Sequence, residues 1–341
     1  MFEGARRAGY LAHTYLVSGP SGVGRRTFTI RMAQALACMG EAPPCRTCER
    51  CRRLDETNPM WNVAVRRSHP GEQSDASNTK ERRVLGHVLT SYFDLHVLRR
   101  ADHRRDISVE GARAFMSALH LKPAYWPVRI GIIDGAHELN EAAASALLKS
   151  LEEPASHALV VLIAPRVADL LPTIVSRCRV IELGPVPSIE IASHLSANYD
   201  VLPDHAAVLA GAAYGRIGWA IRMASDPEAW GEEEGLSADA RAFEAASPPE
   251  RFASVGDIIG GGAPLMQAQR AYEWFEAVEV AQACELRTAM RHNARDASHE
   301  DRVALRRAVR RLERLRMTRR NVAQNVTPRL ACEELALRPE G

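Results

Sequence analysis

The sequence predicts an α/β fold in which helices flank a parallel sheet. The main observation is three short apolar runs, each of which leads towards a stretch with the apolar spacing of a helix. Runs of this kind are typical of parallel strands, because such strands are buried on both faces. They cover residues 14–18, 128–133 and 159–163.

The first run leads into a glycine-rich loop between Gly19 and Gly24, and a helix follows it. A strand, a loop of this kind and a helix form the context in which backbone amides bind phosphate. In a working phosphate loop the next residues are Lys, which reaches the phosphates, and Ser or Thr, which binds Mg²⁺. Arg25 and Arg26 stand at these positions, and arginine is not interchangeable with either. The sequence therefore predicts a degenerate nucleotide pocket, which includes Gly22.

Asp134 follows the second apolar run directly and is assigned to the same pocket. An acid at the carboxyl end of a buried strand lies where open α/β sheets bind their ligands. A cap of the strand end is its alternative role. For the pocket as a whole, a relic loop is preferred over nucleotide binding without hydrolysis, and active turnover is least favoured.

A cluster of cysteines follows the first helix, at Cys38, Cys45, Cys48 and Cys51. Four thiolates around Zn²⁺, at about 2.3 Å, form a closed tetrahedral site that leaves no position for a reactive water. The spacing therefore predicts a structural zinc knuckle, with free thiols as the alternative. A metal site also fits a reducing compartment better than a disulfide framework would.

The region 66–106 is interpreted as an insertion without an assigned role. It contains a polar tract, a possible helix over residues 84–98 and a charged run. After it, Ser108 is suited to cap a helix that begins near Val109.

The stretch from Asn140 to Cys178 is the most informative part of the chain. Its first part predicts a helix that ends before Pro154. Lys149, Glu152 and Glu153 are assigned to the outer face and the end of this helix, with a DNA or subunit contact as the alternative. After the strand at 159–163, a second helix is predicted at 167–171 and a further strand at 180–183.

The segments ALLKSLEEP and LLPTIVSRC, with the glycine loop and the cysteines upstream, resemble the AAA+ clamp-loader subunits of the bacterial replicative DNA polymerase. The resemblance implies a RecA-like AAA+ core with an inserted zinc knuckle, then a small helical lid and an all-helical collar domain. The expected boundaries are 1–185 for the core, 186–228 for the lid and 229–341 for a linker and the collar.

The resemblance also assigns a role to Arg177, in the Ser-Arg-Cys motif. In this family the arginine faces the neighbouring subunit and reaches the γ-phosphate of its ATP. A guanidinium supplied in trans neutralises the charge that develops during phosphoryl transfer. The alternative is an arginine on the surface or at a helix end.

Departures from the family pattern favour a subunit that does not hydrolyse ATP. Active members have an acid after the strand-end aspartate, where this chain has Gly135, and an arginine sensor where this chain has Trp219. The implied partners are the gamma/tau and delta subunits in a five-subunit ring, the sliding clamp and primed DNA. Two alternatives remain: an ATP-hydrolysing gamma/tau-like subunit, and a zinc-dependent nucleic-acid-binding protein that acts alone.

The composition is that of an ordinary globular chain, with 46% hydrophobic residues, 25% charged residues and a net charge of +2. This balance argues neither for nor against nucleic acid. No apolar run reaches the roughly 18 residues of a membrane span, and no signal-peptide pattern is present. We therefore expect a cytoplasmic, nucleoid-associated protein without a membrane partner. Nine arginines between Arg302 and Arg320 are interpreted as a solvated helix face, with a phosphate-tracking surface as the alternative.

Overall fold

The structure is a computed structural model, and it divides into two compact units, Met1–Ile221 and Arg222–Gly341. The three-part division expected from the sequence stays a prediction. The structure describes residues 11–56, 80–84, 87–92, 94–100, 106–261, 266–268, 270–272, 274–275, 277–279, 282, 299–323 and 326–337.

The first unit contains a seven-stranded sheet. Its strands are β1 Thr14–Ser18, β2 Lys80–Val84, β3 His87–Tyr92, β4 Leu95–Arg100, β5 Arg129–Asp134, β6 Ala158–Ala164 and β7 Arg179–Glu182. Their order is β2-β3-β4-β5-β6-β1-β7. The five neighbouring strands β4, β5, β6, β1 and β7 pair in parallel. Strands β2 and β3 form an antiparallel hairpin at one edge of the sheet, and β3 also pairs antiparallel with β4. The parallel sheet with flanking helices confirms the predicted architecture.

Helices cover both faces of this sheet, and further helices follow along the chain and form the second unit. They are α1 Arg25–Ala37, α2 Glu49–Glu56, α3 Val109–His120, α4 Glu141–Glu152, α5 Pro172–Val175, α6 Ser188–Asn198, α7 Pro203–Ala213, α8 Ile217–Ser225, α9 Pro227–Ala245, α10 Pro248–Ile259, α11 His299–Ala323 and α12 Pro328–Leu337. Ser108 caps α3 as predicted, because its side chain accepts from the amide of Gly111. The described helices include none with an apolar stretch long enough to span a membrane.

The helix predicted over residues 84–98 is wrong. This segment contains the end of β2, all of β3 and the first part of β4. β4 is a strand of the central sheet, with Leu95 and Val97 in the core on one face and Leu98 in the core on the other. A short apolar run does not distinguish a strand from a buried helix by its spacing. The pairing with β5 decides it, and β4 is therefore not part of an insertion.

A smaller correction concerns the chain after β6. A helix was expected at 167–171, but the structure has a 3₁₀ turn at Val167–Asp169 and then the short helix α5. Pro172 explains the break, since it begins α5 and disfavours a helical conformation in the residue before it. Leu171 is accordingly extended.

The core of the first unit has two parts, one on each face of the sheet. Helices α3, α4 and α5 cover one face, where Phe115 and Leu147 are completely buried. Helices α1 and α2 cover the other, where Tyr15 and Leu54 are buried. Because the five strands are parallel, their carboxyl ends lie together at one end of the sheet, which we call the carboxyl edge. Ligands bind there in folds of this kind.

At the other end of the sheet, where the strands begin, a buried ion pair joins Asp94 to Arg129, the first residue of β5. Asp94 is fully buried and accepts hydrogen bonds from the three backbone amides of residues 124–126 and from Nη2 of Arg129, at 3.1 Å. Arg129 also donates to the carbonyls of Ala118 and Lys122. Because each charge is met by several hydrogen bonds, the pair ties the loop after α3 to the sheet.

The second unit is helical throughout its described part. Trp274 and Phe275 are buried at its centre, and the ring of Trp274 meets that of Phe243 edge-on with 4.7 Å between centroids. In the arginine-rich helix α11, Arg311 is paired with Glu244, while Arg316 and Arg319 share a second acidic partner, Glu279. Part of the charge of this helix is thus compensated within the unit.

Candidate functional site

The glycine loop follows β1, as predicted, and all three of its glycines have positive φ. Gly22 has φ 76° and Gly24 has φ 98°, the left-handed region that favours glycine. Gly24 precedes α1, so the loop has the local shape of a phosphate cradle. Its amide at Gly19 is occupied, since it donates to the carbonyl of Pro165 at 3.1 Å.

The start of α8 covers this loop directly. The amide of Gly218 donates to the carbonyl of Gly22 at 2.7 Å. A side chain at Gly22 would lie 3.1 Å from Cβ of Arg216 and 3.5 Å from Cβ of Trp219, so glycine is required by the close approach as well as by φ. Trp219, which stands where an arginine sensor was expected, is only 8% exposed. At these distances no ligand group fits between Gly22 and α8.

The two arginines after the loop have different surroundings. Arg25 begins α1, and its carbonyl accepts from the hydroxyl of Thr29 at 2.9 Å. Nη2 of Arg26 lies 2.8 Å from Oδ2 of Asp134 at the end of β5. In an active pocket Mg²⁺ is held beside this aspartate. Here a guanidinium from the same chain supplies the positive charge.

Glu138 is a third charged group at this edge that the sequence analysis missed. Its carboxylate would lie 2.6 Å from a Cβ at Gly135, so it fills the space where a side chain at that position would begin. Oε1 of Glu138 is also 3.0 Å from Nε of Arg100, the last residue of β4. Burial raises the pKa of Glu138, and the neighbouring Asp134 raises it further, while Arg100 and Arg26 oppose the shift.

The structure thus brings together four charged side chains at the carboxyl edge: Arg26, Asp134, Glu138 and Arg100. Two are cations and two are anions, so the cluster is balanced without an added metal. The only sequence signal for Glu138 was an acid shortly after Asp134. Nothing in the sequence indicated that it would fold back to Gly135.

Arg177 lies just after α5, with its side chain 33% exposed. Its Nη1 donates to the carbonyl of Thr173 at 2.8 Å and to the hydroxyl of Ser176 at 3.2 Å. Its Nη2 donates to Oε1 of Glu152, the last residue of α4. The sequence placed Glu152 on an outer helix face, and its pairing with Arg177 was not anticipated.

The four cysteines converge after α1 and around the start of α2. One ligand atom from each of Cys38, Cys45, Cys48 and Cys51 can be chosen so that all lie within 4.8 Å of one another. Backbone amides of Gly40 and Cys45 donate to the sulfur of Cys38, at 3.3 and 3.4 Å. Such bonds favour thiolates, and a set of four is the donor set of structural zinc. These residues therefore fit the expected metal.

The thiols differ in how easily they ionise. A hydrogen bond from the side chain of Thr47, with help from backbone amides, lowers the pKa of Cys45 to about 5. Burial raises the pKa of Cys51 well above its usual value. Because thiols that bind a metal lose their protons, a bound Zn²⁺ would offset this cost for Cys51. Outside this cluster, Cys178 and Cys332 are free, and Cys284 lies outside the described residues.

Residues 1–187 match the model of the family described as "DNA polymerase III, delta subunit". The chain is 28% identical over 204 residues to the DNA polymerase III subunit delta' of Bacillus subtilis, covering 59% of this chain and 50% of the relative. For the delta' subunit of Pseudomonas aeruginosa the values are 29% over 198 residues, 58% and 49%.

A third relative is the DNA polymerase III subunit tau/gamma of Haemophilus influenzae, at 27% identity over 188 residues. That match covers 54% of this chain and 22% of the relative. The chain thus spans half or less of the length of these three relatives. Since the family model matches more than half of the chain, the chain belongs to the family described as "DNA polymerase III, delta subunit".

Proposed function

We propose that this chain is a subunit that does not hydrolyse ATP and that supplies Arg177 in trans to the nucleotide site of a neighbouring ATPase subunit. Its partners are the gamma/tau and delta subunits in a five-subunit ring in the cytoplasm, which places the sliding clamp on primed DNA. The observation that carries this proposal is the ion pair between Arg26 and Asp134.

This ion pair argues against turnover in the chain's own pocket for two reasons. The guanidinium of Arg26 takes the place beside Asp134 that Mg²⁺ needs, and arginine does not ligate a metal. The carboxylate that would align the attacking water is replaced by Gly135. The packing of α8 on Gly22 supports the same conclusion, because it leaves no room there for a ligand.

Arg177 keeps what a trans-acting arginine needs. A guanidinium is charged at every physiological pH and matches the geometry of phosphate oxygens. Its side chain is one-third exposed, and the contacts described for it leave N–H groups of the guanidinium for a phosphate of another subunit. An arginine in this role is worth on the order of 10³–10⁵ in rate in related reactions.

The test is ATP turnover in the complex reconstituted with gamma/tau, delta, clamp and primed DNA. We expect the isolated chain to be inert, and Arg177→Ala to slow the complex by at least about 10²-fold without dissolving it. Arg179→Ala, which removes a nearby exposed arginine of β7, is the matched control and should leave turnover unchanged. Unchanged turnover of Arg177→Ala in an intact complex would refute the trans role.

An ATP-hydrolysing, gamma/tau-like subunit is the second candidate. Glu138 favours it, because it places a second carboxylate beside Asp134. The match to a tau/gamma relative also fits. Turnover by the isolated chain that is lost in Glu138→Gln would establish this candidate and overturn the first.

The proposal includes a structural Zn²⁺ held by Cys38, Cys45, Cys48 and Cys51. A bound metal would connect the end of α1 to the start of α2 and would contribute folding free energy to this small module. We expect the purified protein to contain zinc, and Cys48→Ser to lose it together with several degrees of Tm. Elemental analysis and thermal unfolding test both statements, with Cys178→Ser as the control thiol outside the cluster. Wild-type protein without zinc and with an unchanged Tm after chelation would contradict them.

A further inference from the structure

We propose that Glu152 is a positioning residue for Arg177: its carboxylate holds the guanidinium in the orientation from which it reaches the neighbouring nucleotide. This inference rests on the trans role proposed for Arg177. It goes further by assigning a task to a carboxylate that neither the fold nor the nucleotide pocket of this chain uses.

The geometry fixes the guanidinium from two separate elements. The carbonyl of Thr173 and the hydroxyl of Ser176, both on the α5 side, accept from Nη1. The carboxylate of Glu152, at the end of α4, accepts from Nη2. The Ser176 hydroxyl is itself oriented, because it donates to the carbonyl of Thr173 at 3.1 Å. Contacts on two sides restrict the rotation of a side chain that is otherwise long and flexible.

Glu152 has no role in its own helix that accounts for its charge. It is the last residue of α4, where the negative end of the helix dipole disfavours a carboxylate. The next residue, Glu153, closes the helix through its backbone amide, which donates to the carbonyl of Lys149. The ion pair with Arg177, which lies 25 residues further along the chain, compensates the unfavourable position of Glu152.

Positioning matters here because an arginine that acts across an interface contributes most when its geometry is set in advance. A group already held in its working orientation loses little freedom at the transition state. Glu152 leaves other N–H groups of the guanidinium for a phosphate. The side chains of Glu152 and Arg177 are 49% and 33% exposed. The pair is therefore weak enough to adjust when a neighbour binds.

The experiment compares a graded series in the reconstituted complex: wild type, Glu152→Gln and Glu152→Ala. Gln keeps the reach and an acceptor oxygen but loses the charge, and Ala loses both. We expect kcat to fall in that order, by about two- to fivefold for Glu152→Ala, with KM for ATP unchanged, because an exposed ion pair is a weak contact. Glu153→Gln removes the same charge one residue along, and it should behave as wild type.

The decisive comparison repeats the series in the Arg177→Ala background. If Glu152 acts through Arg177, its substitution has no further effect there. An equal loss in both backgrounds would assign Glu152 a merely structural role. Unchanged or faster turnover of Glu152→Ala in the wild-type background would show that the carboxylate does not position the arginine. Arg177→Ala alone tests the trans role, so failure of that proposal is distinguishable from failure of this one.

A readout on the isolated chain does not depend on activity. In NMR spectra of the guanidinium of Arg177, assigned with Arg177→Lys, we expect hindered rotation in wild type and averaged signals in Glu152→Ala. Glu153→Gln should leave the signals as in wild type. Identical signals in wild type and Glu152→Ala would overturn the inference.

Discussion

Strand β5 begins and ends with an ion pair, and the two pairs differ in almost every other respect. At its start, Arg129 and Asp94 are buried, with 9% and 0% of their side chains exposed. At its end, Asp134 is buried to a similar degree, but the side chain of its partner Arg26 is 57% exposed. Asp94 also accepts three backbone hydrogen bonds, whereas Asp134 meets a cluster that includes a second carboxylate.

The difference separates a pair that holds the fold from a pair that occupies a site. A buried ion pair whose two charges each make several hydrogen bonds stabilises one arrangement of the chain, and the loss of one charge leaves the other uncompensated. A charge at the carboxyl ends of the strands lies where ligands bind in folds of this kind, and the guanidinium of Arg26 is half exposed to water there.

The largest effect is expected from Arg129→Met, which keeps much of the side-chain length but leaves Asp94 charged and buried. It should lower the free energy of unfolding by about 3–5 kcal/mol. Urea denaturation of the purified chain measures this. A loss of 1 kcal/mol or less, on the order of an exposed pair, would remove the distinction between the two ends.

The surroundings of the Arg129–Asp94 pair should also make stability depend on pH, because both charges act on His96, a buried residue of β4. Burial, with a further effect of Arg129, lowers the pKa of His96 to about 4, while the unfolded chain has about 6.5. The unfolded state therefore binds more protons between these values, and stability falls as pH drops from about 6.5 to 4, by up to about 3 kcal/mol. Asp94, whose pKa is lowered because backbone hydrogen bonds and Arg129 outweigh its burial, adds a loss at still lower pH.

Unfolding free energies measured at several pH values test this prediction. His96→Gln should flatten the slope between pH 6.5 and 4. The same slope in wild type and His96→Gln would assign the acid sensitivity to other groups.

At the end of β5, Gly135→Ala should cost about 1–3 kcal/mol. Gly135 has φ 86°, and an added Cβ would lie 2.6 Å from the carboxylate of Glu138. Gly256→Ala is the control, because nothing lies within 4 Å of a Cβ there. An unchanged urea midpoint for Gly135→Ala would mean that the carboxylate of Glu138 moves aside without a loss of stability.

The smallest effect is expected from Arg26→Met, the same substitution as at Arg129. We expect a loss of about 1 kcal/mol or less, because water replaces the half-exposed guanidinium beside Asp134. A loss as large as that of Arg129→Met, in the same urea experiment, would show that both pairs hold the fold.

Local patterns were sufficient for much of the fold. The runs at 14–18, 128–133 and 159–163 correspond to β1, β5 and β6, and the helix before Pro154 and the cap at Ser108 are also confirmed. The segment around β4 was misread, because a short apolar run with a few polar residues fits a helix and a strand equally well. Its pairing with β5 is non-local, and no local propensity encodes it.

The candidate site was predicted only as far as its individual residues. Gly22, Asp134, Arg177 and the four cysteines were identified from motifs, whereas Glu138 and Glu152 were missed as members of the site. Their importance comes from the partners they meet, Gly135 and Arg177, and neither contact leaves a pattern in the sequence.

By itself, the sequence determined the parallel sheet, the glycine loop, the cysteine cluster and the two arginines that follow the loop. Each of these depends on residue types at fixed spacings along the chain. Only the tertiary structure decided which charges meet: Arg26 with Asp134, Glu138 with Arg100, and Glu152 with Arg177. The reason is physical, because an ion pair needs only proximity in space, and the fold brings together side chains that are distant in the sequence.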